Sequence, residues 1–403
     1  MTSTLLKRSE VPVERTWDLA SIYPTVADWE AAFEAAEAEL PSLARFQGLL
    51  AESPAALLEW LETSNRLGAE VAKVYVYARL GFDVDTTNQA QAALNGRAQG
   101  LAARLDAATA FAEPELLAAD PATLDGFLAS EPALQTYRHY LDDLRRQGAH
   151  VRSGEVEELL AMAGEPLSTM WNAFSALADG DLQFRPAVGA DGQEQPVARG
   201  TITGLLHSTD RELRRSAYDS YADGFLSVKN TMAALLAGNV RAGVFRARAR
   251  RHPSALEASL AASNIPTAVF ENVIDAANRH LPIWHRYWEV RRRALGLEKL
   301  EPVDIFAPLT QGGPELPYEQ SVAWICEGMA PLGEEYVAVM RRGLLDERWV
   351  DIDPNQGKRG GAYSSGTYGT HPFILMSYSG GLSSMSTLAH EIGHSMHSYL
   401  SRR

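Results

Sequence analysis

Only one cysteine, Cys326, occurs in 403 residues, so no internal disulfide can staple the chain. Trp324, Ile325 and the apolar 3.6-residue spacing around it place that thiol in a core rather than at a reactive surface. The lack of a disulfide framework fits a reducing compartment. No run approaches roughly 18 uninterrupted apolar residues, the length a membrane span needs. Met1 to Arg15 has no apolar stretch of the kind a secretory signal carries. Positive charge is also short: 37 Lys and Arg stand against 51 Asp and Glu, a net charge of −14. That balance argues against nucleic acid and against an anionic membrane surface as partners. Together these absences point to a cytoplasmic protein.

What is present is the composition of an ordinary globular protein, 46% hydrophobic and 22% charged. The length allows two or three domains, or one large helical body. Helical periodicity dominates. Trp29, Phe33, Ala36 and Leu40 share one face of a helix over 28–46. Helices also fit 54–67, 69–80 and 86–111, with shorter ones at 121–130, 133–146 and 154–163 bounded by Pro, Gly or Ser. A small β element follows. Leu182-Gln183-Phe184 alternates, Asp191-Gly192 is a hairpin turn signal, and Pro196-Val197 begins the return. It sets a boundary near residue 200, dividing an N-terminal helical domain, 1–200, from a second domain, 201–403. Thr209 with Glu212 reads as a capping box for an interrupted helix over 210–250. Arg241, Arg246, Arg248, Arg250 and Arg251 on that helix read as a solvated or salt-bridged face. Further helices fit 266–277, 281–295, 318–329 and 333–344, so the expected fold class is mostly all-α.

The character changes at Asp351. The stretch Gly357 to Gly366 is rich in glycine, but Lys358 precedes the glycine pair, so it is not a phosphate loop. Residues 372–378 form a short apolar β run, and Gly380-Gly381 turn from it into a last helix. A strand there can pair with an extended peptide, or can be a plain structural hairpin; the residues leave both open.

The last helix is read over 382–400, capped by Ser383 or Ser384, with Leu388, Ile392, Met396 and Tyr399 on one face. It carries His390-Glu391-Ile392-Gly393-His394. Two histidines four apart share a helix face and can bind one metal ion, usually zinc. Glu391 is then placed to take a proton from the water that the metal activates, which is metallopeptidase chemistry. Chance supplies about 0.03 such patterns in a chain of this composition. Gly393 costs about 1 kcal/mol in a helix, which suggests a close neighbour at that point. A catalytic zinc site has three protein ligands, and the motif gives two. His397 lies near the same face, but three ligands from one short helix cannot easily surround zinc, so a supporting or packing role fits it better. Nothing argues for Glu334 or Glu335 as the third ligand. Gly and His are missing from positions 397 and 400, which excludes the metzincin pattern. No second metal-like cluster is visible among the ten histidines.

Three segments stand in this order: Gly357-Lys358-Arg359-Gly360-Gly361-Ala362-Tyr363, Pro372-Phe373-Ile374-Leu375-Met376, and His390 through His397. Upstream stand Trp17-Asp18-Leu19, the turn at Asp191-Gly192, Arg248-Ala249-Arg250, Pro253-Ser254-Ala255-Leu256-Glu257 and Asn264-Ile265-Pro266. By these residues the chain resembles oligoendopeptidase F, of the thimet-oligopeptidase-like zinc metallopeptidases, over nearly its whole length. The resemblance implies a helical zincin-type fold with a deep substrate channel and a small β element near the metal helix. It implies one zinc ion on His390 and His394, Glu391 as general base, and hydrolysis of short unfolded peptides. Tyr363 is a candidate substrate contact.

Members of that family carry a third ligand, a glutamate well beyond the second histidine, followed by helices with histidine and tyrosine side chains that stabilise the transition state. No residue here matches them, so the sequence resembles the N-terminal two thirds of such an enzyme. Residues 1–403 alone are then expected to bind zinc weakly, to turn over little peptide and to leave Leu388, Ile392 and Met396 exposed. A missing C-terminal segment joined to Arg403, or a second chain, would supply the third ligand. The alternative reading is a truncated or degenerate, catalytically inactive helical protein that binds peptides.

Overall fold

The computed structural model describes residues 5–310 and 314–402; Met1 and Arg403 lie outside them. The first helix, α1 (Val26–Glu39), starts at a reciprocal cap. Thr25 Oγ1 accepts from the Asp28 amide at 3.2 Å, and the Asp28 carboxylate accepts from the Thr25 amide at 2.9 Å. The chain continues as 3₁₀ turns over Leu40–Phe46, so the α-helix ends earlier than its apolar spacing suggests. α2 (Pro54–Asp83) runs unbroken through Gly68, where the sequence reads as two helices. Gly68 costs about 1 kcal/mol locally. Leu67, Val71 and Val74 beside it are buried, and their packing outweighs that cost. α3 (Gln89–Thr109) packs along α2. With α4 (Ala112–Ala118), α5 (Pro121–Ser130) and α6 (Arg138–Gln147) they enclose a core around Trp29, Leu57, Trp60, Leu101, Leu116 and Leu141.

α7 (Gly154–Met162) matches its reading, whereas α8 (Gly164–Ser175) was not legible. Gly164 and Pro166 look like loop residues, yet proline is tolerated in a helix's first turn. The hairpin consists of β1 (Ala187–Val188) and β2 (Glu194–Gln195), antiparallel, with Gly192 in the turn at φ +74°. Leu182-Gln183-Phe184 is not its first strand. Phe184 instead stacks on Tyr221 at 5.2 Å, drawn by apolar burial into the helical layer.

α9 (Ile202–Leu206) leads to α10 (Arg211–Ser227) and α11 (Lys229–Ala249), separated by a break at Val228. The cap of α10 is Asp210 rather than Thr209: its Oδ1 accepts from the Glu212 amide at 2.9 Å. Asp210 Oδ2 also accepts from the Ala190 amide at 2.7 Å, so one carboxylate holds both helix and hairpin. Of the arginine cluster, Arg250 pairs with Glu157 at 2.7 Å, and Arg241, Arg246, Arg248 and Arg251 are exposed. α12 (Ala255–Ala261) precedes α13 (Thr267–Ala294), which is continuous through Pro282 where the sequence reads as two helices. Val269, Val273, Ile283, Trp284 and Val290 of α13 are each more than half exposed.

After α13 the chain turns at Asp304, whose buried carboxylate receives Arg211 Nε at 2.9 Å and Arg214 Nη2 at 3.0 Å. Burial alone would raise this carboxyl. The two guanidinium groups overcome it and bring it from 3.8 down to about 2. A folded-state value below the unfolded one stabilises the protein above the unfolded pKa, and that gain disappears as pH falls toward the folded pKa. Unfolding free energy is therefore expected to drop between pH 3.8 and about 2. Asp304→Asn should flatten this part of the profile; an unchanged slope in denaturant titrations would remove Asp304 as its source.

The remaining elements are α14 (Tyr318–Gly328), α15 (Glu334–Leu345), β3 (Val350–Asp351), β4 (Tyr363–Ser365), β5 (Phe373–Leu375) and α16 (Leu382–Ser401). The sheet order is β3-β5-β4, with β5 parallel to β3 and antiparallel to β4. β5 is wholly apolar because both its faces are covered. Ile374 points into a core with Trp349, Met340, Leu388 and Met396. Phe373 and Leu375 point the other way, onto Trp17, Val76, Leu80 and Val84. Strand alternation thus makes this short sheet the seam between α2 and the helices around α16. Cys326 is buried in the first of these cores, and burial raises its thiol pKa. Among the described residues no helix is long and apolar enough to cross a membrane.

Candidate metal centre

α16 starts at Gly381, not at a serine cap. Ser384 lies inside the first turn, where its Oγ accepts from the Ser379 amide at 3.1 Å and ties the helix to the preceding loop. Leu388, Ile392 and Met396 are at most 1% exposed. The expectation that they lack cover is wrong: α14, α15, β4 and β5, all earlier in the chain, pack on this face. Ser395, fully buried, hydrogen-bonds Ser364 of β4 at 2.8 Å and donates to the Glu391 carbonyl at 3.1 Å. The helix is therefore held in rotation as well as in place.

That rotation puts His390 and His394 on the exposed side, with Glu391 buried at its margin. The two Nε2 atoms are 3.1 Å apart. Tetrahedral zinc with Zn–N bonds of 2.0–2.1 Å holds two nitrogen ligands about 3.3 Å apart. Two ligand positions thus fit zinc. Among the described residues no third His, Cys, Asp or Glu joins them at ligand distance, and that includes His397, Glu334 and Glu335. Gly393 has open space where a side chain would sit, so its presence is not explained by a close neighbour.

The glycine-rich segment before β4 is clamped rather than loose. Gly357 takes φ +72° and passes so close to Asp85 that a Cβ would lie 2.7 Å from its Oδ1. Thr86 donates to the Gly357 carbonyl at 2.8 Å. Lys358 is buried with Asp351, Nζ to Oδ1 2.6 Å, and Arg8 grips the same carboxylate through two hydrogen bonds of 2.9 and 2.6 Å. Burial would raise the Asp351 carboxyl, but Lys358 and Arg8 hold it below its usual value; burial lowers the Lys358 ammonium. Arg359 donates to Asp83 at 2.9 Å, and the Tyr363 hydroxyl donates to the other oxygen of Asp83 at 2.6 Å. Burial first, then the Asp83 charge, pushes the Tyr363 phenol well above its usual pKa. Tyr363 therefore has its hydroxyl committed to the end of α2. The sequence did not single out Asp83, because Arg359 and Tyr363, which it joins, lie more than 270 positions away.

A cavity of about 710 Å³ opens beside the start of α16. Arg199, Thr203 and His207 line one side; Ser377, Gly381, Ser384 and Thr387 line the other. Thr387 stands one turn ahead of His390 and Glu391. Outside α16 there is a second group of metal-type side chains, His150, His252 and Glu257, with one ligand atom from each all within 4.8 Å. The sequence reading of a single such cluster is corrected here: its two histidines are about a hundred residues apart, beyond any motif spacing.

The family model described as "Peptidase family M3" matches residues 204–403, and the one described as "Oligopeptidase F" matches 115–184. Oligopeptidase PepF of Bacillus subtilis is 38% identical over 397 residues, covering 98% of this chain and 59% of its own length. The crystal structure of oligoendopeptidase-F from Enterococcus faecium superposes with a TM-score of 0.70 at 33% identity, over 79% of this chain and 60% of that one. A solved chain from Chlamydophila abortus is 34% identical with a TM-score of 0.68, over 99% of this chain and 67% of that one. A helical body with this helix and small sheet has the fold of the oligoendopeptidase F structures. Within that fold, the chain belongs to peptidase family M3, among the oligoendopeptidase F proteins. It spans 45% to 66% of the length of the curated relatives it matches, and 59% of Oligopeptidase PepF.

Proposed function

We propose that this chain forms the N-terminal body and metal helix of a zinc-dependent endopeptidase for short unfolded peptides. The observation that carries the reading is the pair of exposed imidazole nitrogens 3.1 Å apart with Glu391 next to them on the helix. One zinc ion held by His390 and His394 would supply a Lewis acid that acidifies water and polarises a carbonyl. The Glu391 carboxylate takes the proton from the attacking water and delivers it to the leaving amine nitrogen. β4, at the edge of its sheet and fixed to α16 through Ser364, offers backbone groups with which an extended peptide can pair. The cavity beside Thr387 would take the peptide's flanking residues, and a folded protein cannot present an extended chain to it. The third ligand is part of the proposal: it comes from polypeptide beyond these 403 residues, in the same chain or a second one. The net charge of −14 supports peptides rather than nucleic acid as partners, and the lone buried thiol supports a cytoplasmic setting.

The test is metal content read together with cleavage of a quenched fluorescent peptide. Zinc that is lost on chelation or with His394→Ala, together with cleavage, is the expected result. With two ligands from the described residues, zinc binding by this chain alone should be weak and should tighten when the further segment is supplied. A metal-free protein that still binds extended peptides would favour the non-catalytic peptide-binding reading instead.

A further inference from the structure

We infer that His150, His252 and Glu257 form a second metal site, for a divalent transition ion of the zinc type, which clips the turn after α6 to the turn between α11 and α12. Two imidazoles and a carboxylate are a donor set that suits zinc and its neighbours. Their ligand atoms already lie within 4.8 Å of one another.

Each residue is prepared for coordination by its surroundings. His150 Nδ1 is 3.1 Å from the Arg250 carbonyl oxygen. A carbonyl only accepts, so Nδ1 carries the proton and Nε2 keeps a free lone pair, the tautomer that metal-binding histidines use. His252 is fixed at the end of α11: its amide donates to the Ala247 carbonyl at 2.8 Å, beside Arg251 at φ +59°. Its Nδ1 is buried without a hydrogen-bond partner among the described residues. An unmatched buried nitrogen is costly, and a cation would give it a partner. Ser254 caps α12 by accepting from the Glu257 amide at 3.0 Å, which sets Glu257 in the first turn. No described residue is found hydrogen-bonding the Glu257 carboxylate, which leaves it free to coordinate. The C-terminal end of the 21-residue α11 adds partial negative charge at this turn. Arg250, whose charge acts on His252, is paired with Glu157 at 2.7 Å.

The two rings lie face to face, centroids 3.6 Å apart and planes 15° from parallel. In-plane lone pairs on parallel rings do not converge on one point. An arriving ion must therefore turn one ring about its Cβ–Cγ bond and open the stack. Once bound, it would join segments about a hundred residues apart and stabilise the fold in proportion to its occupancy.

The test uses the full chain with His390→Ala and His394→Ala, which disables the first site. Titrated with cobalt(II), this protein should bind one equivalent, with visible absorption of the bound ion and a rise in Tm. Adding His252→Asn or Glu257→Gln removes a proposed ligand, and each should weaken binding by more than the roughly ten- to hundredfold that loss of an outer-shell partner costs. Glu257→Gln leaves the Ser254 cap intact, so it decides the matter even where the histidine variant folds poorly. Absence of cobalt binding to the double variant, or binding unaffected by the removal of His252 and of Glu257, would overturn the inference.

Discussion

Glu391→Gln is expected to lower peptide hydrolysis by about two to four orders of magnitude while leaving bound zinc unchanged. The glutamine keeps the shape of the side chain and its place beside Ile392, so the helix face is preserved. It cannot hold the proton that the attacking water must lose. The two proposed ligands, His390 and His394, are untouched, and Glu391 is not one of them. The effect should therefore fall on kcat, with the binding of an extended peptide little altered. Metal content, KM and kcat measured on the same preparation of the peptide-cleaving protein decide it. Near wild-type turnover would remove Glu391 from the chemistry. A loss of zinc in parallel with activity would mean that Glu391 serves the metal rather than the proton.

Lys358→Met is expected to destabilise the fold by about 3–5 kcal/mol, the usual consequence of leaving a buried charge without its partner. Asp351 is fully buried, and Lys358 Nζ sits 2.6 Å from its carboxylate. Lys358 also donates to the Asp351 and Asp353 carbonyls at 3.1 and 2.6 Å, so its loss removes these two hydrogen bonds together with the ion pair, although the Asp351 carbonyl keeps the Met376 amide as a donor. Arg8 still reaches Asp351 and limits the damage. The combined change Lys358→Met with Asp351→Leu should recover part of the loss, because it removes the charge together with its partner. Denaturant unfolding of the single and double variants checks this, and a single-variant loss under about 1 kcal/mol would show that water or Arg8 already compensates Asp351.

Lys358 shows how differently one stretch can be read by sequence and by structure. In the sequence, the segment 357–363 is a recognisable string whose tyrosine reads as a candidate substrate contact. In the fold, Lys358 neutralises a buried aspartate on β3, Arg359 and Tyr363 share Asp83 at the end of α2, and Gly357 allows the close approach. The string fixes the seam between the two halves, which in turn sets β4 and, through Ser364 and Ser395, the rotation of α16. Boundaries failed for a related reason. Gly68 and Pro282 are local breakers, yet α2 and α13 pass through them, because a breaker acts over one turn while packing or a long regular helix acts over many.

The sequence by itself determined whatever is carried within a few turns of chain. It set the helical class, the 382–401 helix, the shared face of His390 and His394, and the short apolar strand before them, since each depends only on residue type and period. Only the tertiary structure decided which earlier elements cover Leu388, Ile392 and Met396, what holds Asp83 and Asp351, and that His150 and His252 meet. His150 and His252 are about a hundred residues apart and Arg8 and Asp351 more than three hundred, while the cover of α16 comes from several separate elements. At such separations spacing carries no information, and contact is settled by how the helices and the short sheet pack as a whole.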